Sequence, residues 1–148
     1  MTTPVHVFQA ARQICRESGW TLSNLQLQKI IYIAHMFCLG TRRTPLIRDR
    51  FEAWDYGPVV PSLYHHVKMF GAKPIKDVFF GAPEISDADT ASVIRDATET
   101  LSKWTPGQLV NFTHQHDGAW AAHYDSERKG AIIPDEDILA EYPRRFNV

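Results

Sequence analysis

The sequence predicts a mainly α-helical protein of the α+β class, a helical bundle of about six helices with a small antiparallel β element. Apolar residues recur at helical spacing in several capped segments, whereas strand-like segments are few and short. The chain has 148 residues, of which 44% are hydrophobic and 22% are charged. This length and composition suit one domain with a substantial core, so we expect a single domain over residues 1–148.

Two helices are predicted at the N-terminal end. Thr3 and Pro4 have the character of an N-cap and a first helical residue, and the apolar stripe that follows contains Val5, Phe8, Ala11 and Cys15. A second helix is predicted after Thr21 or Ser23. It is apolar around most of its circumference, which is typical of a central core helix, and Gly40 is its predicted C-terminal stop.

The later elements are shorter. Residues 41–50 form a basic, irregular segment that we expect to pair with residues 51–56 as one arm of a small sheet. A helix opened by Pro61 is predicted to end at Gly71, and residues 73–83 form a connector. Ser86 and Asp89 approximate a capping box for the next helix. The remaining predictions are helices over residues 86–104, 105–116, 120–124 and 135–142 and a strand over residues 129–133.

The composition indicates where the protein is located and what its cysteines do. No apolar run approaches the roughly 18 residues of a membrane span, and the N-terminus has no basic segment followed by an apolar one. We therefore expect a cytoplasmic protein without a membrane partner. Cys15 and Cys38 lack the spacing of a zinc site or a disulfide framework and are interpreted as small buried hydrophobes.

The formal net charge of −1 hides an asymmetry along the chain. Residues 1–80 hold 10 Lys and Arg against 5 Asp and Glu, whereas residues 81–148 hold 6 against 12. The two halves either attract each other, present different faces to partners, or simply carry solvated charges that average out after folding.

The most informative stretch is residues 51–61, which read Phe-Glu-Ala-Trp-Asp-Tyr-Gly-Pro-Val-Val-Pro. Its aromatic start is typical of a strand, and the stretch is interpreted as a short strand that runs directly into a helix. Gly57 permits unusual backbone angles, while Pro58 and Pro61 fix φ and remove hydrogen-bond donors. These three residues are predicted to define the fold at this point.

Aromatic residues near this corner are candidates for partner binding. Trp54, Tyr56 and Tyr64 offer large contact areas with a polar group and little side-chain entropy to lose. The alternative for Trp54 is a structural role, packed against Ile30 or Ile33 in the core.

Enzyme and metal chemistry are not indicated. The sequence has no glycine-rich phosphate loop, no Gly-x-Ser-x-Gly elbow and no recognised cysteine nucleophile. His114, His116 and His123 are the one group that could suggest metal or acid–base chemistry. Because residues two apart lie on different faces of a helix, their spacing differs from that of a helical zinc pair. We expect no catalytic residue, no metal ligand and no cofactor.

Several motifs in order resemble the Panacea domain, a family that includes the SocA-like antitoxins and phage-associated relatives. They are Leu-Gln-Leu-Gln-Lys-Ile-Ile-Tyr-Ile-Ala-His at residues 25–35, Pro-Leu at 45–46, the stretch at 52–64, Thr-His at 113–114, Trp120, Ile132 and Ile138. Asp55 stands where relatives often have a basic residue, and Gly118-Ala119 replaces a proline before Trp120.

The resemblance implies binding rather than turnover. Panacea proteins are antitoxins that neutralise small toxins by direct contact, and SocA-like members also deliver the bound toxin to the ClpXP protease as proteolytic adaptors. For this chain it implies a cognate toxin as partner and, as an extension, the ClpX component.

A basic segment gives the alternative function. Arg42, Arg43, Arg48 and Arg50 lie within nine residues and would either contact the toxin together with the aromatic residues or neutralise the phosphates of nucleic acid. The near-neutral pI and the lack of a helix-turn-helix pattern favour a solvated loop or one that meets an acidic protein surface.

Overall fold

The computed structural model describes residues 2–148, and that part of the chain folds into seven α-helices and a three-stranded antiparallel sheet. This confirms the predicted class, mainly α with a small β element. The helices are α1 Val7–Glu17, α2 Asn24–Arg42, α3 Pro61–Val67, α4 Ala88–Leu101, α5 Pro106–Thr113, α6 Ala119–His123 and α7 Asp135–Phe146. A 3₁₀ turn, Lys68–Phe70, extends α3. None of the described helices is long and apolar enough to cross a membrane.

Helix α2 runs through the centre of the molecule and is buried on most sides. Ser23 caps it, because its hydroxyl accepts from the backbone N–H of Gln26 while the Gln26 side chain accepts from the N–H of Ser23. The predicted stop at Gly40 is wrong, since the helix continues to Arg42. A Cβ at Gly40 would lie 2.2 Å from the ring of Tyr142 on α7, so this glycine serves close helix packing instead.

The N-terminal segment differs from the prediction. Helix α1 begins after His6, whose imidazole accepts from the N–H of Phe8 at 3.0 Å, and not at Thr3 and Pro4. The residues before it are extended, and Val5 forms a parallel bridge with Ile47. The segment 41–50 therefore pairs with the N-terminus rather than with residues 51–56.

The stretch at residues 51–61 contains a hairpin, not a strand that runs directly into a helix. Strand β1, Phe51–Trp54, pairs with β2, Gly57–Val59, and on its other side with β3, Ala131–Ile133. Because Trp54 faces Gly57, only Asp55 and Tyr56 form the loop. Pro58 lies on an edge strand, where its missing N–H removes no ladder hydrogen bond.

The remaining elements follow the predictions with small shifts. Thr105 caps α5 and Pro106 opens it, as predicted. Helix α4 is capped by Asp87 instead of a box formed by Ser86 and Asp89. Helix α7 extends past Pro143.

One cluster of buried apolar side chains joins these elements. Helix α2 contributes the largest share, and α1, β1, α3, α4, α5 and α7 pack around it. Ile75 and Phe79 of the connector after α3 belong to the same cluster. Cys15 and Cys38 are buried and unpaired, as expected.

Candidate partner-binding groove

A groove of about 810 Å³ opens between the β1–β2 hairpin, α3 and the N-terminal end of α2. We call it the hairpin groove. Most of the surface that it exposes is apolar, although polar and charged residues also line it. The lining comes mainly from regular elements and consists of Asn24, Leu25, Gln28, Lys29, Glu52, Trp54, Asp55, Tyr56, Val59, Tyr64, Lys68, Gly71, Ala72, Lys129 and Gly130.

Two side chains of α2 form hydrogen bonds with backbone groups along the outer edge of strand β2. The Lys29 ammonium donates to the carbonyl of Pro58 at 3.1 Å, and the Gln28 amide oxygen accepts from the N–H of Val60 at 2.9 Å. The Gln28 amide nitrogen in turn donates to Asn24 at 3.2 Å. An edge strand normally leaves such groups unpaired. Helix α2 therefore takes the place of a neighbouring strand and fixes the hairpin against the core.

Lys29 is an unusual residue for this position. Its side chain is fully buried, and among residues 2–148 no carboxylate forms an ion pair with it. Burial disfavours the charged ammonium and lowers the pKa of Lys29 from 10.5 to about 7. Lys29 thus holds the hairpin through a hydrogen bond, and its amine is only partly protonated at neutral pH.

Gly57 is required by this arrangement. Its φ is +117°, and a Cβ there would lie 2.8 Å from Cε of Lys29 and 3.1 Å from Nε2 of His114. Any other residue would combine a strained backbone with a collision. The motifs at residues 25–35 and 51–61 are therefore coupled through one contact.

Aromatic rings form one wall of the groove. The rings of Trp54 and Tyr64 meet nearly at right angles, with centroids 4.9 Å apart and an interplanar angle of 64°. The Trp54 indole N–H donates to Glu52 at 3.0 Å, which holds the ring beside that carboxylate. Trp54 is half-buried in this wall. Tyr56, at the tip of the hairpin, is 75% exposed.

A second group of residues supports the back of the hairpin. The Trp120 indole N–H donates to the carbonyl of Trp54 at 2.8 Å. Trp120 is stacked between His114, at 3.9 Å and 5°, and Tyr124, at 4.7 Å and 20°. Burial lowers the pKa of His114, whose Nε2 has no hydrogen-bond partner in the described part of the chain.

The hairpin loop is anchored by Asp55. Its carboxylate accepts from Lys129 at 2.7 Å and from the Tyr124 hydroxyl at 2.6 Å, and these bonds, with the lysine first, lower the pKa of Asp55. The bonds from Lys129 and Tyr124 therefore explain why this chain has an acidic residue at position 55.

The predicted site residues fall into two groups. Trp54, Tyr56 and Tyr64 line the same groove, whereas the four arginines lie outside it. All four are exposed. Arg42 pairs with Asp89 at 3.7 Å, Arg43 is the left-handed residue that ends α2, Arg48 donates to the carbonyl of Pro4 at 3.4 Å, and Arg50 directly precedes β1.

Histidines do not gather into a metal centre. Within residues 2–148, no group of three or more His, Cys, Asp or Glu is placed to hold a metal ion. His114 lies in the aromatic stack, and His123 contacts Asp137 at 2.6 Å.

Sequence reasoning missed Gln28, Lys29 and Glu52 as groove residues. Lys29 carried a detectable signal, because it is the one lysine or arginine ahead of the last residue in a helix that is apolar nearly all round. Glu52 carried none, since a polar residue on the outer face of a short strand is ordinary.

Comparison with known proteins assigns the chain to a family. The family described as "Antitoxin SocA-like, Panacea domain" matches residues 27–121, which include the hairpin, the Gln28–Lys29 pair, His114 and Trp120. The chain therefore belongs to the Panacea domain family of SocA-like antitoxins, as its motifs indicated.

A curated relative points the same way. The chain is 35% identical over 109 residues to "Antitoxin SocA" of Caulobacter vibrioides (strain NA1000 / CB15N), and the alignment covers 67% of this chain. It spans 58% of the length of that relative. No solved structure matches the chain.

Proposed function

We propose that this protein is a cytoplasmic antitoxin that neutralises a cognate toxin protein by direct binding at the hairpin groove, without catalysis. The observation that carries the proposal is a preformed groove with a largely apolar surface and an aromatic wall, lined mostly by residues within the range that the family matches. Rigid aromatic residues in a concave site are typical anchors of protein interfaces.

The architecture favours a preorganised interface. The hairpin is fixed by α2 on one side and by the Trp120 stack on the other, so little backbone entropy remains to be lost on binding. A partner that inserts apolar side chains would bury Trp54, Tyr56 and Tyr64 together. Inhibition is then stoichiometric and requires no turnover.

The test begins with the neighbouring reading frame. We expect expression of its product to be lethal alone and harmless with this protein, and the two purified proteins to form a complex. Tyr56→Ala and Tyr64→Ala should each weaken toxin binding by about tenfold or more, the range of interface anchors. Phe80→Ala is the matched control, since Phe80 is 82% exposed and lies outside the groove.

Two outcomes separate the parts of the proposal. If no neighbouring product is toxic, the antitoxin role fails. If the toxin binds the folded Tyr56→Ala and Tyr64→Ala variants as tightly as wild type and Phe80→Ala, the role stands but the groove is not the binding surface.

The same system distinguishes sequestration from proteolytic delivery. If this protein is a ClpXP adaptor, the toxin half-life in cells shortens only when both this protein and ClpX are present. If it sequesters the toxin, growth is protected at an unchanged toxin level. The nucleic-acid alternative, through Arg42, Arg43, Arg48 and Arg50, requires a salt-dependent gel shift on the upstream DNA of the gene.

A further inference from the structure

Glu52 is the one carboxylate of the hairpin groove without a cationic partner. It lies partly buried on the outer face of β1, and its only hydrogen bond within residues 2–148 is the one that Oε1 accepts from the Trp54 indole at 3.0 Å. Oε2 has no partner there. The other groove carboxylate, Asp55, is already compensated by Lys129 at 2.7 Å. Because Oε2 is not a buried atom, it is open to solvent and free to pair with a cation that a ligand supplies.

One aromatic ring, that of Trp54, lies beside the Glu52 carboxylate, and the ring of Tyr64 packs against Trp54. Trp54 and Tyr64 form a corner with centroids 4.9 Å apart and an interplanar angle of 64°. A ring face attracts a cation within about 6 Å, most strongly when the ring is tryptophan. An aromatic corner next to a free carboxylate therefore has the chemistry of a pocket for a basic side chain.

We propose that the hairpin groove recognises the toxin through one arginine or lysine side chain, which packs against the corner formed by Trp54 and Tyr64 and pairs with Glu52. This inference rests on the proposed function and names the chemistry that the partner must present.

The nearby cations do not fill this pocket. The Lys29 ammonium is bound to the Pro58 carbonyl at the outer edge of β2, and the Lys129 ammonium is bound to Asp55. Lys68 is exposed, at the start of the 3₁₀ turn. Its position suits an acidic neighbour of the inserted side chain.

The size and rim of the groove favour a protein segment over a small cation. A volume of about 810 Å³ far exceeds one side chain, and the exposed Tyr56 and Leu25 extend the apolar surface beyond the aromatic corner. Apolar residues on both sides of the basic residue would cover that surface and exclude water from the ion pair.

The primary test is Glu52→Gln in the full chain, with the toxin encoded beside it. Glutamine keeps an oxygen for the Trp54 indole but removes the charge. We expect the Kd for the toxin to rise by about 10- to 100-fold, the effect of losing a hydrogen-bonded charge pair. Glu99→Gln, an exposed residue on α4 outside the groove, should leave the Kd unchanged.

A charge reversal adds specificity. Glu52→Lys should abolish binding, and one Arg→Glu or Lys→Glu substitution in the toxin should restore it, which a purely structural role of Glu52 would not allow. Equal Kd values for the folded Glu52→Gln and Glu99→Gln proteins would overturn the inference while leaving the antitoxin role intact.

If the wild-type protein binds no toxin, a small-molecule probe still tests the proposed cation pocket. We would titrate protein labelled with ¹⁵N at its indoles with N-acetyl-arginine amide and with its neutral isostere, N-acetyl-citrulline amide. A shift of the Trp54 indole resonance with the arginine compound alone, lost in Glu52→Gln, supports the cation pocket. An absent arginine-specific shift overturns it.

Discussion

At the scale of single residues, Lys29 shows how burial sets the behaviour of a charge. Its folded pKa of about 7 lies below the ordinary value of 10.5. Between these values the unfolded chain binds more protons than the folded one, so stability rises with pH across this window. Below pH 7 both states are protonated and the contribution no longer changes.

We therefore predict that the free energy of unfolding gains up to about 1.4 kcal/mol per pH unit from Lys29 between pH 7 and 10. The measurement is urea unfolding at several pH values for wild type and Lys29→Met. The buried thiol of Cys15, whose pKa is raised, opposes the trend above pH 9 in both proteins and cancels in the difference. Lys103→Met, at an exposed position, should retain the wild-type slope; a wild-type slope in Lys29→Met would contradict the assignment.

At the scale of elements, sequence patterns predicted the helix starts that depend on neighbouring residues in the chain. The prediction of a helix start after Thr21 or Ser23 included the residue that caps α2, and the Thr105-Pro106 pair located the start of α5, because cap residues and the helices they cap are adjacent in sequence. The hairpin was missed because its loop, Asp55-Tyr56, lacks the Asn-Gly or Asp-Gly signal. Its stabilising partners, at residues 28–29 and 131–133, are remote in sequence.

Part of the candidate site was also predictable from the sequence, again where its residues lie close together in the chain. Trp54, Tyr56 and Tyr64 lie close together in the chain, and their shared surface followed from the motif. The arginines of residues 42–50 are separated from that surface because their segment pairs with the N-terminal residues, a long-range contact with no local signature.

Substitution of Gly40 tests the close packing of α2 against α7. A Cβ there would meet the Tyr142 ring at 2.2 Å, so Gly40→Ala forces α7 away from α2. We expect a destabilisation of about 1–3 kcal/mol, typical of overpacking, measured by thermal and urea unfolding. Gly107→Ala is the control, because a Cβ at Gly107 meets only Thr105 Oγ1, at 3.9 Å.

A double mutant tests the cause. If the ring is the obstacle, the combined Gly40→Ala and Tyr142→Ala protein should lose less stability than the sum of the two single variants. Additive losses would mean that the Tyr142 ring is not the obstacle to a side chain at position 40.

At the scale of the whole molecule, ion pairs join the two charge-asymmetric parts of the sequence. Arg16 contacts Glu84 at 2.6 Å and Arg42 contacts Asp89 at 3.7 Å, each linking residues 1–80 with residues 81–148. These pairs are exposed, so each contributes little to stability. Apolar packing across the chain has the larger role.

The family match ends at residue 121, yet the groove depends on residues outside it. Helix α7 covers α2 through the buried Ile138, and the buried Glu141 accepts from the N–H of Ala119 at 2.9 Å beside Gly118. Strand β3 completes the sheet against β1. Without these elements a large apolar face of α2 and one edge of β1 would meet water.

We predict that a fragment of residues 27–121 does not fold cooperatively, because the hydrophobic burial that offsets chain entropy is shared with α1 and α7. Circular dichroism should show a broad, weak thermal transition, and its amide NMR spectrum should lack dispersion. The control removes only Asn147 and Val148, both exposed, and should melt as the full chain does. A sharp transition in the 27–121 fragment would show instead that α2, the hairpin and α4 hold together alone, and that α1 and α7 are accessory to the groove.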